Sequence, residues 1–436
     1  MKKLTEGMEF LTEKRSAKTE KLRREYNRAR KKSHGRKRVK YHSSVLDLLC
    51  KHNSKPIKKG TRLATIRVPS IFSIIDNPKP SIETILELSD HGRACLLKSL
   101  RINHAYVKQL DLAAESILDL TTMELDREAR NTHRKFDIGG FFPKDPYLER
   151  YIRAIGIIKN LEVTHEYLSK EEESTLQIFS MRNKRLANRD SLGVSDYKER
   201  AVAEFVDHIN TCLNDNGLEL THDARRMLAD YTGELIGNAE DHSGTDDWTI
   251  VGYLDNEHNM HICEVAIFNL GKTISDTFLE LERDSYGFQC IETYIEKHKK
   301  LNIFDHNWKE EDLLTLIALQ EHISSKNRSA EDTRGQGTVA MIEFFQQIHK
   351  ECTKDDKSCA KMALLSGSTH LLFDGKYQMK PNIDGRNIIA FNEENHLEKK
   401  PDASYVKNLG PTFFPGTIIS IRFPMQTSQM QEARSQ

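Results

Sequence analysis

Within the segment ARRMLADYTGELIGNAEDHSG, helical in its spacing, Glu234, Asn238 and Asp241 fall at i, i+4 and i+7, which puts all three on one face. Two carboxylates and an amide in line suit a metal-nucleotide site. Magnesium takes hard oxygen ligands such as an amide carbonyl alongside waters and phosphates, and a nearby carboxylate can orient or deprotonate an attacking water. The apolar neighbours Leu235 and Ile236 give the same helix a side to bury. Further along, Arg334-Gly335-Gln336-Gly337 stands just before an apolar-periodic helix. Glycine amides at a helix start form an anion site, because no side chain covers the N–H groups and the helix dipole points at phosphate.

These groups need elements to hold them in place. The alternating run WTIVGYLDNEHNMHICEVAIFNLGKTI reads as a β-hairpin, with its turn near Asp255-Asn256 and its second strand ending at Phe268. It delivers Asn269-Leu270-Gly271-Lys272-Thr273 at the strand end. SGSTHLLF and PGTIISIRFP read as further strands of the same sheet. Between the hairpin and the Arg334–Gly337 loop, residues 275–333 hold helix candidates around Ile291 to Lys300 and Glu311 to His322, closing on the polar stretch HISSKNRSAEDT.

Glu234-Leu235-Ile236-Gly237-Asn238-Ala239 resembles the N box of the GHKL superfamily, the Bergerat-fold ATP-binding proteins that include gyrase B subunits, MutL-type repair proteins, MORC-type ATPases and histidine kinases. The resemblance implies that Asn238 gives its side-chain oxygen to Mg²⁺, that Glu234 is the general base, and that Asp241 lies near the metal's water shell or a basic residue. Asn269-Leu270-Gly271 stands where the family has its G1 box, usually Asp-x-Gly-x-Gly, whose Asp accepts the adenine amino group. Here Asn269 replaces that Asp and Thr273 the second Gly; an amide oxygen can still accept the adenine N–H, without the charge that strengthens the bond. Arg334, Gly335 and Gly337 resemble the G2 box. Gly416-Thr417 resembles the closing Gly-Thr strand, where the threonine hydroxyl helps hold the adenine-recognising group. The matches follow the family's order from Tyr197 to Met425, and they imply ATP and Mg²⁺ as ligands with 275–333 as an ATP lid.

The fold class expected is mixed, α/β and α+β, in two domains: a small α/β domain over 60–160 and a GHKL α/β sandwich over 196–426. In the first, LATIRVPSIFSII, SIETILELSDHG and SLRINHAYVKQL read as β, α, β. The helix DLAAESILDLTTMELDREAR, a short strand around Phe136 to Phe142 and a helix opened by Asp145-Pro146 follow. Strands alternating with helices imply some parallel pairing. This order is similar to STAS-like domains, the modules that partner anti-sigma kinases. Where such a domain presents a phosphorylatable serine, this chain has Asp111-Leu112-Ala113-Ala114, so no phospho-switch is expected there, and Ser116 reads as an ordinary helix residue. The charged segment 161–195 reads as a helical or loosely ordered connector.

Residues 1–42 form a basic tail, with sixteen Lys or Arg against five Glu up to residue 40; the whole chain balances at 65 charges of each sign, so the rest is correspondingly acidic. Such density can contact nucleic-acid phosphates, or it can be a solvated tail or a docking strip for an acidic partner. No stretch reaches the length of an apolar membrane span and the first residues lack a signal-peptide core, so a cytoplasmic protein with no membrane contact is expected. Seven cysteines without a C-x-x-C pair suggest neither a zinc ribbon nor a disulfide framework. Two functions remain. The first is a slow ATPase switch, expected to be homodimeric, whose lid governs an effector protein or nucleic acid; proteins of similar layout look like mobile-element or phage-defence components. The second is a serine kinase resembling anti-sigma factors, acting on a STAS-like partner. His165-Glu166 lacks the following proline of a histidine-kinase phosphoacceptor.

Overall fold

The computed structural model describes residues 42–51, 62–93, 97–155, 176–183, 194–242, 247–255, 261–321, 323–327, 329, 336–352, 360–382, 385–425 and 427–433. The chain divides into two compact units, Met1–His42 and Ser43–Gln436. The basic tail therefore falls almost wholly outside the described residues.

In the N-terminal region, β1 (Leu63–Arg67), β3 (Ser99–Asn103) and β5 (Asp137–Phe141) make a parallel three-stranded sheet in the order β1-β3-β5. The run expected as one strand, LATIRVPSIFSII, is split. Pro69 cannot donate to a ladder, and beyond it only β2 (Ile71–Phe72) pairs, parallel to β4 (Gln109–Leu110). Helix α1 spans Ser44–Cys50, and α2 spans Pro78–Arg93, three residues earlier than its apolar pattern, because proline is tolerated in a first helical turn. Helices α3 (Leu112–Asn131) and α4 (Pro146–Ile155) lie where the periodicity puts them. Asp111 is the buried N-cap of α3, accepting the Ala114 amide at 2.8 Å. Ser116 is a buried residue of that helix.

The second sheet has seven strands, all antiparallel, in the order β14-β11-β10-β15-β9-β8-β6. Its strands are β6 (Ile178–Arg182), β8 (Trp248–Asp255), β9 (Ile262–Leu270), β10 (Lys361–Gly367), β11 (Thr369–Phe373), β14 (Val406–Asn408) and β15 (Phe414–Pro424), while the short β7 (Leu218–Leu220), β12 (Lys380–Pro381) and β13 (Asn387–Ile388) pair outside it. β8 and β9 are the expected hairpin, but β9 runs past Phe268 to Leu270, so Asn269 sits inside a strand. β6 lies within the segment expected to be helical or loosely ordered. It pairs with β8 at the sheet's edge, where its residues are mostly half-buried and carry little alternation to read.

Helices cover both faces of this sheet, which is why β8 is buried along its whole length. On one face, Trp248, Ile250, Val265, Ile267 and Ile421 share a core with α5 (Val194–Asn214), α6 (His222–His242) and α10 (Gln336–Cys352). On the other, Val251, Tyr253, Ala266, Phe268 and Ile418 share a core with Leu112, Ala113 and Ile117 of α3. The N-terminal helices thus close the back of the sheet, and the Leu112 amide donates to Glu264 Oε1 of β9 at 2.8 Å.

Candidate functional site

Helix α6 buries Tyr231, Leu235, Ile236 and Ala239 against the sheet, and this fixes the rotation that sets Glu234 and Asn238 beside Leu235 and Ala239 at one cavity. Tyr231 stacks on Phe344 at 4.2 Å between ring centroids, pinning α6 to α10. The start of α10 then meets the middle of α6. A β-carbon at Gly337 would stand 2.3 Å from Glu234 Oε2 and 3.5 Å from Asn238 Nδ2, so glycine is what lets the two helices present these groups together.

Across from them, Asn269 pairs in register with Trp248 on one side and Thr417 on the other. Gly416 makes that register possible: its φ is 144°, and a β-carbon there would lie 2.0 Å from the Asn269 carbonyl oxygen. Thr417 Oγ1 and Ser366 Oγ share a hydrogen bond of 2.9 Å, and Ser366 Oγ also accepts the Ile274 amide at 2.9 Å. Thr273, where a second glycine was sought, does a different job. It caps α7 (Ile274–Leu279), with its side chain and that of Asp276 forming a reciprocal capping box.

These elements enclose a cavity of about 270 Å³. Ile267, Leu364 and Ile419 of the sheet form its floor, Leu235, Ala239 and Met341 one wall, and Ile274, Phe278, Leu319 and Ile323 the other. Five of the residues singled out in the sequence meet here: Glu234, Asn238, Asn269, Gly337 and Thr417. Gly271 does not line the cavity; at φ 149° it follows β9 and donates to the Pro415 carbonyl at 3.0 Å. The side chain of Asp241, and both Arg334 and Gly335, lie outside the described residues.

The region expected as a lid does supply walls. It contains α7, α8 (Tyr286–Lys300) and α9 (Glu310–Ile317), and Ser324, Ser325 and Lys326 line the cavity beyond them. Lys272 also lines it and is ion-paired with Glu280. Ser366 and Lys326 had no signal in the sequence: each sits in a polar stretch like many others, and only the fold selects it.

Chemically, the cavity is an apolar slot with polar groups at its ends. The Asn269 carboxamide is 5% exposed and hydrogen-bonds to no described residue, so its donors and acceptor are free to meet an occupant. Glu234 and Asn238 are likewise without hydrogen-bond partners among the described residues. No group of three or more His, Cys, Asp or Glu is placed to hold a metal among the described residues. A magnesium ion that keeps its waters and rides on phosphates needs no such cage, and one amide oxygen at Asn238 fits that role. Searches against protein-family models, curated proteins and solved structures find no match to this chain.

Proposed function

We propose that the chain is a GHKL-type, Mg²⁺-dependent ATP-binding regulatory ATPase. The observation that carries this reading is the convergence of Glu234, Asn238, Asn269, Gly337 and Thr417, from four separate segments, on one apolar cavity. An antiparallel sheet with α5, α6 and α10 packed on one face supports a Bergerat-type sandwich. In this reading the adenine lies on the Ile267, Leu364 and Ile419 floor, and the unpaired Asn269 amide recognises its edge. The phosphates lie toward the start of α10, where backbone amides favour anions, with Lys272 and Lys326 as nearby cations. Magnesium, when bound, neutralises phosphate charge; Asn238 holds it, and Glu234 orients and deprotonates the attacking water.

Nucleotide also touches the lid, through Phe278, Leu319 and Ser324, so occupancy is felt there and changes the surface offered to a partner. The test is calorimetry with ATP and Mg²⁺. Binding is expected, with Asn238→Ala weaker by about tenfold or more, the scale of one charge-assisted contact. Equal affinity in the variant removes Asn238 from the site. Labelled ATP then separates phosphate released to water, as expected, from phosphate left on protein.

A further inference from the structure

A second cavity, of about 310 Å³, lies on the opposite face of the seven-stranded sheet, where the N-terminal region docks. Its polar lining is Ser73, Asp76, Gln109, Asp111, Lys361 and Arg422. Lys361, Arg422 and Glu264 are register neighbours on β10, β15 and β9, so their side chains form one row across the sheet.

Each acid around this row is already engaged. Asp76 accepts Lys361 Nζ at 2.7 Å and Gln109 Nε2 at 2.6 Å. Asp111 accepts Ser73 Oγ at 2.6 Å, the Ile75 amide at 3.1 Å and the Ala114 amide at 2.8 Å. Glu264 accepts the Leu112 amide at 2.8 Å and Tyr253 OH at 3.0 Å. Arg422, by contrast, is half-buried; the neighbouring Glu264 answers its charge, but it makes no hydrogen bond or ion pair with any described residue. A guanidinium carries five N–H donors in a planar fork and keeps its charge, so the donors of Arg422 are open to an occupant of the cavity. That fork matches the two oxygens of a carboxylate or phosphoryl group.

We propose that this cavity binds a small oxyanion, the phosphoryl or carboxylate group of a compact ligand, with Arg422 as its main contact and Lys361, Gln109 and Ser73 around it. The occupant ties β10 and β15 to the turn after β2 and the start of α3, and so strengthens the docking of the N-terminal region on the sheet.

The test titrates the full chain with inorganic phosphate and, separately, with acetate, at an ionic strength held constant with chloride. Calorimetry and the thermal midpoint are both followed. Saturable binding of either anion is expected, and the preferred one identifies the phosphoryl or carboxylate source. Arg422→Gln should weaken it by about tenfold or more, the scale of a charge-assisted contact, while Asn238→Ala, in the other cavity, keeps the wild-type affinity. Absence of saturation with both anions overturns the proposal, as does equal affinity in Arg422→Gln or loss of binding in Asn238→Ala. If circular dichroism shows Arg422→Gln unfolded, Lys361→Gln at the exposed rim decides: weaker binding supports the site and unchanged binding overturns it.

Discussion

The carboxylate of Glu234 and the missing β-carbon of Gly337 occupy nearly the same space, and this makes Gly337 a control on the chemistry rather than on the fold. In Gly337→Ala the added methyl would meet Glu234 Oε2, the far end of a flexible side chain that can swing aside cheaply. The thermal midpoint should therefore move little while ATP turnover falls on the order of 10- to 100-fold, as for a catalytic group displaced by about 1 Å. Retained turnover would mean that Glu234 does not act from this position. Glu234→Gln asks the complementary question, since it keeps size and hydrogen bonding but removes the proton acceptor. Nucleotide binding should persist and hydrolysis should drop by about 10²- to 10⁴-fold. A preparation free of contaminating ATPase that still hydrolyses ATP at the wild-type rate assigns the base elsewhere.

Among the elements, the β9–β15 pair sets the far end of the cavity. Gly416 there faces backbone, not a mobile side chain, so Gly416→Ala forces a positive-φ alanine against the Asn269 carbonyl. The expected cost is about 3 kcal/mol, read from urea denaturation, and an unshifted midpoint would show that the strand pair relaxes freely. The helical spacing of Glu234 and Asn238, and the glycine before an apolar helix at Gly337, were legible because short-range periodicity decides them. α3 and α4 were legible for the same reason. Other features depend on distant partners and were not. Asn269 lies within β9 because β15 extends the pairing, and β6 is a strand only because β8 offers it an edge. Thr273, read as the place of a second motif glycine, caps the next helix, a role that depends on where that helix begins.

For the molecule as a whole, Glu264 sits where the sheet receives α3, fully buried between Leu112 and Tyr253. Burial pushes its carboxyl up to about 7 from an ordinary 4.5, against the opposing pull of Arg422, with Asp111 adding to the rise. The unfolded chain thus gives up this proton first. Its contribution favours the fold at low pH and is lost as pH rises from about 4.5 through about 7, an effect on the order of 3 kcal/mol. Urea denaturation at pH 5 and pH 8 should show a smaller difference in Glu264→Gln than in the wild type; equal differences would place the pH dependence elsewhere. The helix that Glu264 receives also governs how the chain can be dissected. A fragment begun after residue 195 would lack both α3 and β6, laying Val251, Tyr253, Phe268 and Ile418 bare to water and opening an unpaired edge along β8. Such a truncation yields a sticky half-sandwich rather than a minimal nucleotide module, so the nucleotide experiments call for protein that retains its N-terminal α/β region.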